Sequence, residues 1–355
     1  MSEIVFVLGA GASTTAGAPL IKDFLKVADD LRYSGDLGKY SLYFDKVFNA
    51  ISGLQLLHSK SRLDITDIES IFAAFEMGLL INKLPNMSEK DINETITAIK
   101  ILILKTLEQT IKFTCEDNQI WPDKTYNSFA RLINKIKDGK KTCSVITFNY
   151  DLALDYALHF NSVPYDYCLT EDTLSGIPLI KLHGSLNWAK CDKCNCIIPW
   201  NLKDFFNTHH YSLLKDGMKV IIDLPSRLID GEFEHCGEKI FNLSPVIVPP
   251  TWNKTSYHNQ LSNVWKHAAN MFSDAKNIFI SGYSLTPSDS FFRYLYALSS
   301  VSNTLIKRFW VYDPAEGNEI ENRFKDLIGQ QIEPCFEFKR NNFFEMINRI
   351  SNIQF

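Results

Sequence analysis

Ile4-Val5-Phe6-Val7-Leu8-Gly9-Ala10-Gly11-Ala12-Ser13-Thr14-Thr15-Ala16-Gly17-Ala18-Pro19 is the stretch whose reading decides the fold. Its first five residues form an unbroken apolar run rich in β-branched side chains, the pattern of a strand buried on both faces of a parallel sheet. Gly9 and Gly11 follow at once, where the missing side chain lets a backbone turn tightly and come close to a ligand. The hydroxyls of Ser13, Thr14 and Thr15 can donate to phosphate oxygens, so the turn reads as a diphosphate cradle carried by Gly9, Ala10, Gly11, Ser13 and Thr14. The same pattern also serves an ordinary strand-to-helix turn with close packing, and the glycine pair by itself does not separate the two.

The 355 residues, 45% of them hydrophobic, suffice for one large domain or two modest ones with a sizeable core. A formal charge of −4 supplies no basic field, so direct binding of nucleic acid is not expected. No apolar run approaches the roughly 18 residues of a membrane span. Met1-Ser2-Glu3 leads straight into the first strand without a basic and apolar leader. The expectation is a soluble cytoplasmic protein with no membrane partner.

Outward from the glycine turn, Leu20, Phe24, Leu25, Ala28 and Leu31 recur at helical spacing, with Pro19 suited to the first turn. The pattern stays helical from Tyr40 to Cys115, which predicts an all-helical insertion over residues 40–120, with Asp64, Asp67, Glu69 and Glu76 as solvated caps and faces. A second buried strand, Cys143 to Phe148, runs into Asn149-Tyr150-Asp151, and a third, Ile177 to Leu182, into His183-Gly184. Polar groups at the carboxyl ends of parallel strands stand where open α/β sheets bind ligands. Asp151 also suits a helix cap. Gly184 keeps bulk away from the imidazole beside it.

Two further strand ends carry Gly282-Tyr283-Ser284, followed by Asp289 at a helix start, and Asp313-Pro314. Between them and His183 lies Cys191-Asp192-Lys193-Cys194-Asn195-Cys196, with His235-Cys236 some forty residues later. Cys191 and Cys194 have zinc-ligand spacing, and Cys236 with either Cys196 or His235 would complete a tetrahedral set in a small module over residues 188–243. Reduced cysteines without metal are the other reading. The alternation of strand and helix along most of the chain predicts an α/β fold built on a doubly wound parallel sheet.

Taken together the strand ends resemble the sirtuin family, in particular its divergent bacterial members. Gly9-Ala10-Gly11-Ala12-Ser13 with Gly17-Ala18-Pro19 is similar to the family's first cofactor motif. Thr147-Phe148-Asn149-Tyr150-Asp151 resembles its catalytic asparagine segment, Lys181-Leu182-His183-Gly184-Ser185 its histidine-glycine segment, and Gly282-Tyr283-Ser284 its later phosphate and ribose turn. The motifs stand in the family's order across nearly the whole chain. The resemblance implies one Rossmann-like domain over residues 1–355 that binds NAD through Gly9, Ala10, Gly11, Ser13, Thr14, Pro19, Gly282, Ser284, Asp289 and Asp313. Asn149 would hold the ribose or an attacking water, His183 would act as general base, and Asp151 would support them. Structural zinc would sit on Cys191, Cys194, Cys196 and Cys236.

The chain departs from the deacylating members of that family at three places. Phe148 stands where they carry glutamine, Leu20-Ile21-Lys22-Asp23-Phe24 replaces their aspartate-phenylalanine-arginine run, and Val246-Ile247-Val248-Pro249-Pro250-Thr251 replaces the segment that pairs with a peptide. Proline has no amide hydrogen to offer an added strand. Water is therefore expected as acceptor, which makes the chain an NAD glycohydrolase and, by the resemblance, an NAD-depleting effector of antiphage defence. Such a protein is expected to be a homo-oligomer controlled by a separate partner such as an ATPase. An NAD-dependent protein deacylase and a non-catalytic sensor of NAD or ADP-ribose are the alternatives.

Overall fold

The computed structural model describes residues 2–34, 37–55, 63–84, 86–116, 119–171, 174–191, 193–199, 211–213, 219–222, 233–240, 246–248, 255–286 and 289–355. They fall into two compact units, one of residues 1–16, 113–184 and 261–355, the other of residues 17–112 and 185–260.

The first unit is built on seven strands: β1 (Ile4–Leu8), β2 (Cys143–Thr147), β3 (Tyr165–Asp166), β4 (Ile177–Lys181), β5 (Asn277–Ser281), β6 (Arg308–Tyr312) and β7 (Phe336–Lys339). They lie in the order β7-β6-β5-β1-β2-β4-β3, and every neighbouring pair is parallel. The chain thus leaves β1 toward β2 on one side and later returns on the other side through β5. Adjacent strands whose connections depart in opposite directions make a switch point, and here it lies between β1 and β5.

Both faces of the sheet are covered, as the apolar runs of β1, β2, β4 and β5 require. The helices of this unit are α1 (Lys124–Asp138), α2 (Ala153–Phe160), α3 (Thr255–Asp274, from Leu261 onward), α4 (Ser290–Ser299), α5 (Glu319–Lys325) and α6 (Phe343–Ile350). Phe6 of β1 meets Phe129 of α1 edge to face at 5.0 Å, and Phe129 lies 5.2 Å from Phe343 of α6. Phe309 of β6 is in register with Ile278, one residue before Phe279, the register partner of Phe6, so it points to the opposite face. There it meets Tyr296 of α4, which in turn packs against Phe272 of α3. The sheet is doubly wound and Rossmann-like, as the strand and helix alternation predicts.

The second unit carries the helices Ile21–Ser34, Ser41–Leu54, Ile68–Leu80 and Glu89–Thr110, and the antiparallel pairs formed by Trp188–Lys190 with Ile197–Pro199, Tyr211–Leu213 with Lys219–Ile222, and Phe233–His235 with Glu238–Ile240. Asp67 caps the helix Ile68–Leu80 by accepting from the amides of Glu69 and Ser70. Glu76, expected on a solvated face, is buried. Among the described residues no helix is long and apolar enough to cross a membrane.

Three local expectations change. The glycine turn does not open directly onto an α-helix. It runs into a 3₁₀ segment, Ala10–Ala16, and the helix begins only at Ile21, so Pro19 precedes it. The helical run ends at Thr110, and Phe113–Glu116 and Gln119–Trp121 form a short antiparallel pair in the first unit. Val246–Val248, an apolar run with the pattern of a further sheet strand, belong to the second unit, where the Ser185 amide donates to the Val246 carbonyl and the Val246 amide to the Trp188 carbonyl. The rest of that segment lies outside the described residues.

At the switch point the two glycine turns touch backbone to backbone. The Gly11 amide donates to the Gly282 carbonyl at 2.9 Å, and a Cβ on Gly9 would lie 2.4 Å from that same oxygen. Gly282 has a φ of +63° and would bring a Cβ within 2.3 Å of the Ala12 nitrogen. Gly9→Ala is therefore expected to cost about 3 kcal/mol of unfolding free energy by overpacking against rigid backbone. Gly53→Ala, where nothing lies within 4 Å of the added carbon, should change stability by less than about 1 kcal/mol; urea denaturation of the two variants compares them.

Candidate active site

The carboxyl edge of the sheet is even, because the strands end in register: Leu8 pairs with Thr147 and Ser281, Thr147 with Lys181, and Ser281 with Tyr312. The hydrogen-bond ladder continues one residue past these ends. The amides of Phe148, Leu182, Gly9, Gly282 and Asp313 donate to the carbonyls of Leu8, Thr147, Ser281, Tyr312 and Lys339 respectively. Gly9, Asn149, His183, Gly282 and Asp313 consequently lie along one edge of one rigid element.

Asn149 is clamped there. Its amide nitrogen donates to the Gly9 carbonyl and to the Ser13 hydroxyl, each at 2.9 Å, and its backbone amide donates to the Thr147 hydroxyl at 3.1 Å. With both amide hydrogens directed into the glycine turn, the carboxamide presents its oxygen as the acceptor.

Ser13, fully buried, is the junction of the site. Its hydroxyl donates to Asp151 Oδ2 at 2.7 Å, accepts from Asn149, and shares a hydrogen bond with the Tyr126 hydroxyl at 2.8 Å. One donor and two acceptor sites are thereby all used, which fixes the Tyr126 hydroxyl as donor while Asp151 is ionised. Asp151 Oδ1 also accepts from the Ala153 amide at the start of α2, whose N-cap position is Leu152. Burial pushes the Asp151 carboxyl above the usual range, against the opposing pull of the Lys181 ammonium and the Ser13 hydroxyl. The Tyr126 phenol is raised well above its ordinary value, first by burial and then by the Asp151 charge.

His183 is 5% exposed and sits against two rings of the asparagine segment: Phe148 at 5.1 Å, edge to face, and Tyr150 at 6.1 Å. Phe148 in turn stacks on Tyr283 of the second glycine turn at 4.1 Å. These rings cover part of the imidazole and join three strand ends.

Of the other expected residues, Thr14 is exposed and its hydroxyl donates to the Gly11 carbonyl. Ser284 holds its carbonyl toward Arg323, whose guanidinium donates to it at 3.2 Å. Asp289 precedes α4 and accepts from the Thr286 hydroxyl. Asp313 accepts from the Ala315 amide, and burial raises its carboxyl. Ala10 is half-buried in the 3₁₀ segment. Pro19 belongs to the second unit. There Gly17, with a φ of +104°, would place a Cβ 2.2 Å from the Thr110 carbonyl.

The second unit also holds the cysteine cluster. Cys191, Cys194, His235 and Cys236 bring one ligand atom each to within 4.8 Å of one another. Ligands of a tetrahedral zinc stand about 3.8 Å apart when each bond is about 2.3 Å, so the set fits zinc. The His235 ring nitrogen lies 3.2 Å from the Cys236 sulfur and 3.7 Å from the Cys194 sulfur. The Cys194 amide and the His235 ring hold the Cys191 thiol down to about 6, favouring the thiolate that binds metal. Of the two completions open in the sequence, the cluster contains His235; Cys196 stands outside it and gives its carbonyl to the Cys191 amide.

Tyr126, Thr147, Lys181 and Asp155 are site residues that sequence reasoning missed. Nothing in the spacing around Tyr126 or Lys181 marks them; only the packed sheet shows both buried.

No protein-family model and no curated protein sequence matches the chain. Among solved structures it is similar to a Sir2 homologue in complex with NAD, at 15% identity and a TM-score of 0.43, over 98% of this chain and 87% of that one. It is likewise similar to Sir2Tm bound to a propionylated peptide, at 14% identity and a TM-score of 0.39, over 98% and 91%. A third likeness is to a Sir2 homologue variant in complex with ADP-ribose, at 14% identity and a TM-score of 0.44, over 98% and 90%. Likenesses this distant carry no argument about the site.

Ser13→Ala removes the shared partner of Tyr126, Asn149 and Asp151, and is expected to lower unfolding free energy by about 1–3 kcal/mol, read as an earlier urea midpoint at unchanged m.

Proposed function

We propose that the protein binds NAD along the carboxyl edge of the first unit and cleaves the bond between nicotinamide and ribose with water as acceptor, releasing nicotinamide, ADP-ribose and a proton. The observation that carries this reading is the Asn149 carboxamide, held through its nitrogen by Gly9 and Ser13, on the same strand-end edge as the His183 imidazole. Departure of nicotinamide develops positive charge on the sugar, and an oriented carboxamide oxygen answers that charge without having to reorganise. An imidazole is the side chain suited to take the proton of the attacking water near neutral pH. Gly9, Ala10, Gly11, Thr14, Gly282, Ser284, Asp289 and Asp313, all of the first unit, are proposed to line the rest of the dinucleotide. Ser13 serves Asn149 and Asp151 through its hydroxyl.

The motif resemblance extends the proposal to a cytoplasmic effector of antiphage defence that depletes NAD, working as a homo-oligomer under the control of a separate partner such as an ATPase. In the second unit we propose a structural zinc on Cys191, Cys194, His235 and Cys236, a set of four protein ligands that leaves no open position for chemistry.

Purified protein incubated with NAD is expected to release nicotinamide, and Asn149→Ala and His183→Ala are each expected to slow release on the order of 100-fold or more. Consumption of NAD only when an acylated peptide is added would establish deacylation instead. Thermal stabilisation by NAD without any nicotinamide would establish a sensor. Elemental analysis is expected to find one zinc per chain, lost together in Cys194→Ser and in His235→Ala but retained in Cys196→Ser; retention in all three overturns the ligand set.

A further inference from the structure

Beneath the edge lies a buried ammonium–carboxylate pair for which the chemistry above has no role. Lys181, the last residue of β4, and Asp155, in the first turn of α2, have side chains only 1% exposed, and the Lys181 ammonium lies 3.0 Å from Asp155 Oδ2. The same ammonium donates to the Asp151 carbonyl at 2.6 Å. The other oxygen of Asp155 accepts from the Tyr167 hydroxyl at 2.5 Å, so the carboxylate is held from both sides.

The placement of these groups matters more than their charge. Lys181 ends β4 two residues before His183, and Asp151 stands two residues after Asn149 in the loop that follows β2. A single ammonium therefore reaches from the strand that leads into the imidazole's loop to the loop that carries the carboxamide. Through Asp151 it reaches further, because the carboxylate of that residue holds Ser13, and Ser13 holds Asn149.

We propose that Lys181 and Asp155 are positioning residues that lock the His183 and Asn149 loops into one arrangement for cleavage of NAD; the catalytic part of this rests on the reading given under Proposed function. Stability alone does not account for the pair, since a buried ion pair exchanged for well-packed apolar side chains is often no less stable. What apolar side chains cannot supply is the donor for the Asp151 carbonyl. A misplacement of about 1 Å between reacting groups can cost on the order of 100-fold in rate, so such a tie bears directly on turnover.

The double variant Lys181→Met with Asp155→Leu replaces the pair by apolar side chains of similar volume. Asp155→Asn is milder: its one oxygen can accept from Lys181 or from Tyr167 but its nitrogen cannot accept. In folded protein the double variant is expected to lower kcat on the order of 100-fold, and Asp155→Asn about tenfold, with KM for NAD within about twofold of wild type. Peptides covering residues 148–153 and 182–184 should exchange amide hydrogens at least about tenfold faster, while residues 143–147 exchange as in wild type. Folded variants with wild-type kcat and wild-type exchange in those loops overturn the proposal. Should wild type release no nicotinamide, the NAD-cleavage reading fails by itself and the exchange measurement alone judges the tie between the loops: unchanged exchange sinks it, faster exchange sustains it. Should the double variant not fold, Asp155→Asn decides by the same two readouts.

Discussion

Two backbones touching where no side chain fits is the constraint on which the rest of this structure depends. The turn after β1 and the turn after β5 share the switch point of the sheet, and the Gly11 amide reaches the Gly282 carbonyl only because Gly9, Gly11 and Gly282 carry no Cβ. That contact fixes where the chain beyond β1 can go. It leads directly to Ser13, buried at the junction of three polar side chains, and Ser13 in turn sets the plane of the Asn149 carboxamide. A backbone constraint at the glycines thus becomes an orientation constraint on a functional group two strands' width away from β5.

The electrostatics beneath the edge follow from the same geometry. Asp151 is buried because it is drawn inward by Ser13 and by the Ala153 amide, and its desolvation is opposed by the Lys181 ammonium. That ammonium is itself acceptable in the interior only because Asp155 and the Asp151 carbonyl receive it, and Asp155 because Tyr167 completes its shell. Charges buried in this way need good geometry and full hydrogen bonding to be tolerated at all. Rigidity at the edge is the physical consequence, since none of these groups can move without leaving another unsatisfied.

The second unit follows a different logic. Its helices bury a regular apolar face, with Phe44, Val47, Phe72, Phe75, Ile99 and Leu102 fully buried, whereas its antiparallel strand pairs are only three or four residues long. Pairs so short bury little surface, and a metal held by Cys191, Cys194, His235 and Cys236 would supply the cross-link that a small core lacks.

The sequence by itself determined the doubly wound parallel sheet, because apolar runs of five residues each ending in a glycine or a polar group have few other ways to bury both faces. It likewise determined which strand ends carry Asn149, Asp151 and His183, since strand direction puts every such end on one edge. It did not determine the end of the helical run at Thr110 or the 3₁₀ segment after Gly9, where apolar spacing is the same for competing backbones and long-range packing decides. Nor did it show that Ser13, legible as a phosphate-binding hydroxyl, turns inward to Asn149, Asp151 and Tyr126, that Glu76 is buried, that His235 joins the cysteine cluster in preference to Cys196, or that Lys181 lies under the site. Those were decided only by the tertiary structure, for one physical reason: the partners of Ser13, Lys181 and His235 in these contacts lie 26 to 138 positions away along the chain, a distance across which local pattern carries no information and only packing brings donor and acceptor together.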